Sequence, residues 1–151
     1  MKIMSPAFKL GGAMPDRCAR ESGDRSPPLT FSNVPTKAKS LTLLMDDPDA
    51  PSGTFTHWIV FDLHPDVHTL QENTVPSHAL CGLNDYGDIG YGGPRPPSGT
   101  HRYFFRLHAL DRRLNLTVGS TRETVERAMR NHVIAQAEWM GRYSAVPANV
   151  T

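Results

Sequence analysis

Cysteine is scarce in this chain, and what there is carries no pattern. Cys18 and Cys81 are the only two, far apart, with no CxxC pair and no neighbouring ligand set of the kind a structural zinc requires. Two thiols in a reducing compartment are expected to stay unpaired. Charge of one sign is also missing. Sixteen Lys and Arg against fifteen Asp and Glu leave a formal +1, and no basic stripe breaks the balance. That excludes the electrostatic footprint of a nucleic-acid-binding protein, so no nucleic-acid partner is expected. No stretch reaches the roughly 20 apolar residues of a membrane-spanning helix. The opening MKIMSPAFKLGGAMP is interrupted by Ser5, Pro6, Lys9 and Gly11–Gly12 and lacks the continuous apolar core of a signal peptide. A cytoplasmic protein is the expectation. Equally absent are a GxSxG elbow, a CxxxxxR phosphatase loop and a P-loop.

What is present is ordinary globular material with unusual punctuation. A chain of 151 residues, 38% hydrophobic and 21% charged, is long enough for one domain, 1–151, with a real core. Its thirteen prolines and twelve glycines gather before about Pro35 and between Gly82 and Gly99, which predicts long, shaped loops. Three segments read as strands: Leu41–Met45, His57–Leu63 and His101–Leu110. In the third, Tyr103, Phe105, Leu107 and Ala109 share one face and Arg102 and Arg106 the other. One segment reads as a helix. Ser120 would cap it with Glu123 three residues on, and Val125, Met129, His132, Val133 and Met140 recur at helical spacing up to a stop at Gly141. The class is therefore mainly β with a C-terminal helix.

Period-2 geometry locates the chemistry. Asp47 continues the row of Leu41, Leu43 and Met45, and His57 would begin the row of Ile59, Phe61 and Leu63. The link PDAPSGTFT is short, so an antiparallel hairpin would put both groups at one end of the sheet. His101 and Tyr103 open their own strand directly after the Gly/Pro-rich loop. Three strand ends thus converge beside one loop, a common way to build a site.

The segments DPDAP (Asp47–Pro51), HWIVFDL (His57–Leu63) and GYGGPRPPSGTHRYFFRLHAL (Gly90–Leu110), in this order and spacing, closely resemble the phosphatidylethanolamine-binding protein family, which includes the Raf kinase inhibitor proteins and plant flowering regulators. SPPLTF (Ser26–Phe31), GLNDYG (Gly82–Gly87) and the GRY ending (Gly141–Tyr143) extend the likeness, and the chain is similar to the short bacterial and archaeal branch. The resemblance implies a β-sandwich with a C-terminal helix, a cis Asp47–Pro48 bond, and a pocket for a small anionic or phosphorylated ligand (phosphate, a phospho-headgroup or a nucleotide-like group). It assigns the pocket to Asp47, Asp49, His57, Pro97, His101 and Tyr103, with Pro51, Trp58, Gly93 and Pro96 shaping the rim. It also implies a protein kinase or other protein partner, peripheral membrane contact and a homodimer. Near Cys18 the sequence departs from the family pattern, so CARESGDRSPPL (Cys18–Leu29) is expected to line the entrance in its own way.

Chemically, two histidines and a tyrosine can offer donors to an oxyanion. Asp47 would orient a histidine, and Asp49 would pair with Arg102. No cofactor is expected. Lacking a committed nucleophile, the chain reads as a binding module. The alternatives are a phosphoester hydrolase or lyase and a metal enzyme built on His57, His101 and Asp47.

Overall fold

A computed structural model describes residues 1–146; of the expected domain, 147–151 lie outside the described residues. The three expected strands are there and slightly longer: β3 Ser40–Asp47, β4 Phe55–Leu63 and β7 Thr100–Leu110. They lie in a five-stranded antiparallel sheet ordered β6-β4-β3-β7-β8, with β6 at Leu80–Cys81 and β8 at Val133–Ser144. A smaller sheet, β1-β2-β5, is built from Lys2–Met4, Leu29–Ser32 and Thr69–Leu70.

The main core lies between the sheets. Ile3, Leu29, Phe31 and Leu70 of the small sheet pack with Leu41, Leu43, Met45, Trp58, Val60, Phe105 and Leu107 of the large one. All eight residues of β3 are buried, as befits a central strand covered on both faces. On the far face Leu44, Ile59 and Phe61 are covered by Leu114 and by Val125 and Met129 of the helix α1, Arg122–Met129. Burying a side chain of the Leu or Phe class contributes about 1.5–3 kcal/mol each, which ties strand pairing to stability.

The C-terminal region departs from expectation. The helix is only Arg122–Met129, and its cap is Thr121 rather than Ser120: the Thr121 hydroxyl accepts from the Thr124 amide at 3.2 Å. Ser120 instead donates to the Thr117 carbonyl at 2.7 Å, and Glu123 pairs with Arg127 at 3.0 Å. Asn131, at φ 68°, turns the chain back in the left-handed region that asparagine tolerates. His132, Val133 and Met140 therefore leave the helix. From Val133 the side chains alternate, with Ile134, Gln136 and Glu138 exposed and Ala135, Ala137 and Trp139 turned inward. The strand β8 pairs with β7 along nearly its whole length.

Two irregularities in the β3–β4 pairing bear on the site. Met45 faces Trp58 but Asp46 faces Thr56, so His57 is the extra residue of a bulge. Between Leu41 and Leu43 a second shift absorbs another residue near Asp62, itself at φ 55°. Ile59 and Phe61 thus face the helix, while Leu63 faces the inter-sheet core. His57 does not share their row: the bulge turns it to the side of Tyr103. All peptide bonds among the described residues are trans, Asp47–Pro48 included. The Asp47 carboxylate accepts the Asp49 amide at 2.7 Å, a turn that closes with the trans prolyl bond ordinarily preferred by about 0.5–1 kcal/mol.

Candidate functional site

One cavity of about 290 Å³ opens where β3, β4 and β7 meet the Gly/Pro-rich loop. Of the residues singled out from sequence, Asp47, Pro51, His57, Pro96, Pro97, His101 and Tyr103 line it. Three stand outside its wall. Asp49 forms a bidentate pair with Arg102, at 2.9 Å from Nε and 2.8 Å from Nη2, and also accepts the Arg102 amide at 2.9 Å. The Arg102 hydrogen bonds hold its carboxyl down at about 2, and the pair pins the β3–β4 loop onto β7. Trp58 is buried in the inter-sheet core, edge-on to Tyr91 with ring centres 5.3 Å apart. Gly93 is part of the loop's wedge against the 18–20 backbone.

Each imidazole is held by one nitrogen. His101 Nδ1 lies 2.6 Å from Asp47 Oδ2, and both side chains are buried. Since the other Asp47 oxygen accepts the Asp49 amide, both carboxylate oxygens are engaged. With Asp47 ionised, His101 donates from Nδ1. His57 Nδ1 lies 2.6 Å from the Gly92 carbonyl, which can only accept, so here too Nδ1 carries the proton. Gly92 also donates its amide to the His57 carbonyl at 2.9 Å, clamping residue and ring together. In the neutral rings Nε2 is therefore an acceptor. Burial lowers the His57 pKa below its ordinary 6.5, partly offset by the Gly92 carbonyl and the Asp47 charge. Tyr103 is pushed far above the usual tyrosine range, first by burial and then by Asp47, so it stays a hydroxyl donor.

The aromatic wall was only partly anticipated. Phe55, Tyr86 and Tyr103 surround the His57 ring, with centres 4.7, 5.6 and 5.2 Å away. Phe55 and Tyr86 line the cavity together with Ala50 and Arg95, and none of these four was singled out from the sequence. Tyr86 lies in the GLNDYG segment and Arg95 in GGPRPP, so the signal available was position within quoted motifs. Tyr86 donates its hydroxyl to the Gly93 carbonyl at 2.7 Å. Asn84 holds the loop's turn, accepting from the Tyr86 and Asp88 amides and donating to the Gly90 carbonyl.

The Cys18–Leu29 segment, expected to line the entrance, contributes no residue to the cavity's lining and packs instead against the 91–94 loop behind it. Asp24 accepts the Gly93 amide at 2.7 Å, the Arg20 amide donates to the Pro94 carbonyl at 3.0 Å, and Tyr91 donates to the Cys18 carbonyl at 2.8 Å. Cys18 is buried and Cys81 half-buried, and both are free thiols; burial pushes Cys18 up to about 11, away from reactivity.

The sequence profile of the phosphatidylethanolamine-binding proteins matches residues 4–144. The chain belongs to the phosphatidylethanolamine-binding protein family. A UPF0098 protein of Methanothermobacter thermautotrophicus is 46% identical over 148 residues, covering 95% of this chain and 98% of its own. A phosphatidylethanolamine-binding protein homologue from Chlamydia trachomatis, known from a crystal structure, superposes with a TM-score of 0.91 at 43% identity, over 96% of this chain and 97% of that one. The E. coli YbcL protein, described as a new member of the mammalian family, gives 0.90 at 29% identity, over 96% and 98%. Membership supports ligand binding in general, and the fold is the family's two-sheet arrangement. No helix among the described residues is long and apolar enough to cross a membrane.

Proposed function

We propose that the cavity binds a small oxyanion, of the phosphate or phosphorylated-headgroup class, without turning it over. The observation that carries this reading is the fixed pair of imidazoles. His57 and His101 each have Nδ1 anchored to an acceptor, so Nε2 remains on each ring to serve the cavity beside the Tyr103 hydroxyl. An oxyanion that brings a proton, such as a phosphate monoester with one P–OH, can donate it to one Nε2 and accept from Tyr103. A fully ionised oxyanion must instead be met by a protonated ring. Either way the two histidines make the site a proton-coupled anion receptor.

The same geometry argues against turnover. Among the described residues no serine, threonine, cysteine or lysine lines the cavity, and both Asp47 oxygens are committed to hydrogen bonds that orient His101 and the Asp49 amide. Nor does His57/His101/Asp47 leave a free three-ligand set for a metal, and no group of three His, Cys, Asp or Glu among the described residues is placed to hold one. Calorimetric titration of inorganic phosphate tests the reading. His57→Ala and His101→Ala should each weaken binding about ten- to a hundredfold, the loss of one charge-assisted bond of about 1.5–3 kcal/mol. His132→Ala is the control, because His132 binds Asp111 at 2.7 Å outside the cavity. Equal affinities in all three would sink the reading.

A further inference from the structure

Among the described residues the cavity wall carries one guanidinium, Arg95, and no lysine. It extends from the run Pro94-Arg95-Pro96-Pro97, where prolines fix φ on both sides and leave the side chain as the mobile part. Arg95 also borders a second, smaller cavity of about 150 Å³ that it shares with Glu21, Ser22 and Tyr143, so its side chain forms the ridge between the two. Nη1 lies 3.6 Å from Glu21, longer than a hydrogen bond, and the guanidinium carbon is 5.2 Å from the Tyr86 ring centre. The side chain of Arg95 is 54% exposed and that of Glu21 73%. The contrast with Arg20 is informative. Arg20 also sits over Tyr86, at 4.2 Å, but Asp24 and Asp88 hold it at 3.3 and 2.8 Å. Of the two cations at this aromatic ring, one is tied down and the other is loosely held beside the cavity.

Building on the anion-receptor reading, we propose that Arg95 is the residue that sets charge selectivity: it swings from Glu21 onto a doubly charged oxyanion in the cavity, with the Tyr86 face as its pivot. The chemistry follows from the proton positions. At neutral pH both rings present an acceptor when neutral, and Asp47 adds a negative charge, so the fixed groups alone disfavour a dianion. Arg95 supplies the permanent positive charge that such a ligand needs, and its planar fork can meet two oxygens at once. A carboxylate, with one charge and two oxygens, can be served by Tyr103 and one protonated ring. Glu21 is then the competitor that holds the arm off an empty site.

The test compares sulfate, a dianion across the working range, with acetate, a monoanion, in calorimetric titrations at pH 7. Arg95→Gln should weaken sulfate about tenfold and change acetate less than about twofold. Glu21→Gln should tighten sulfate about two- to fivefold, the reach of an exposed ion pair, and do nothing in an Arg95→Gln background. Arg95→Lys, which keeps the charge but not the fork, should fall between wild type and Arg95→Gln. If Arg95→Gln leaves sulfate unchanged while His57→Ala weakens it, the selectivity role falls and the receptor reading stands. If both leave sulfate unchanged, the receptor reading falls with it. Equal losses of sulfate and acetate in Arg95→Gln, or no gain from Glu21→Gln, would overturn the swing-arm assignment.

Discussion

Gly93→Ala is a severe perturbation whose size can be worked from the contacts. A Cβ at Gly93 would lie 2.0 Å from the Cys18 carbonyl oxygen and 3.0 Å from Ala19 C and the Arg20 amide nitrogen. All three are backbone atoms, so no side chain can rotate away and one segment must move. Movement breaks the seam between the loop and the 18–24 segment, where Asp24 accepts the Gly93 amide and Tyr86 donates to the Gly93 carbonyl, each at 2.7 Å. Overpacking costs about 1–3 kcal/mol, and losing the charge-assisted Asp24 bond about 1.5–3 kcal/mol more. A loss of about 3–6 kcal/mol is a large share of the 5–15 kcal/mol typical of a domain. In a chain of this length it should lower Tm by about 6–24 °C in scanning calorimetry. Gly87→Ala is the comparison: Gly87 has φ 90° with nothing within 4 Å of its would-be Cβ, so only backbone strain of about 1–2 kcal/mol applies. A Gly93→Ala protein melting within about 2 °C of wild type, or no lower than Gly87→Ala, would refute the wedge.

Asp62→Ala should cost about 3 kcal/mol in chemical denaturation, because the Asp62 carboxylate accepts the Leu114 and Asn115 amides at 2.7 and 3.0 Å and is nearly fully buried. Phosphate affinity should hardly change, since Asp62 does not line the cavity. The affinity for sulfate should rise as pH falls through the pKa that His57 has in the complex toward the lower one of the unliganded site, because an anion favours the charged ring and burial has lowered its free-state pKa. Asp47 and Asp85 help this protonation and burial opposes it; His57→Ala should flatten the profile, and an unchanged slope would count against proton uptake there. Stability has the opposite dependence in the unliganded protein. A lowered folded-state pKa contributes stability above pH 6.5, which is lost as pH falls toward that lowered value, so wild type should lose more stability than His57→Ala over that interval.

The strands were legible because the centres of β3 and β4 are unbroken runs of apolar, β-branched and aromatic residues, and β7 keeps period 2 from His101 to Ala109 with every second residue buried. The convergence of Asp47, His101 and Tyr103 followed from that period. His57 reached the predicted place by a different route: its row is broken by a bulge, and a bulge leaves no periodic trace in one strand because it is a mismatch between two. β8 was read as helix because Met129, Val133 and Met140 also fit helical spacing. Asn131 marked the break, and the small residues Ala135, Ala137 and Gly141 made its alternation faint. Phe55, Tyr86 and Arg95 were missed as lining residues because which loop side chain reaches a cavity is decided by long-range contacts. Those contacts are the Asn84 turn, the Asp24–Gly93 bond and the Thr56–Asp85 pairing of loop to strand.

Those ties also explain why an unremarkable N-terminal segment matters to the chemistry. His57 keeps its proton on Nδ1 because the Gly92 carbonyl is held 2.6 Å away, and Gly92 is positioned by the hydrogen bond its amide donates to the His57 carbonyl and by the loop that Asp24 secures one residue later. Weakening the seam at Asp24 would free the carbonyl, and the neutral ring could then carry its single proton on Nε2 and donate to an anion without taking up a second one. On this argument the 18–24 segment would act on tautomer choice at a distance, through Gly93 and Gly92, since none of its residues lines the cavity. Divergence of that segment among relatives with the same Asp47, His57 and His101 would then alter how anion affinity depends on pH before it altered which side chains line the cavity.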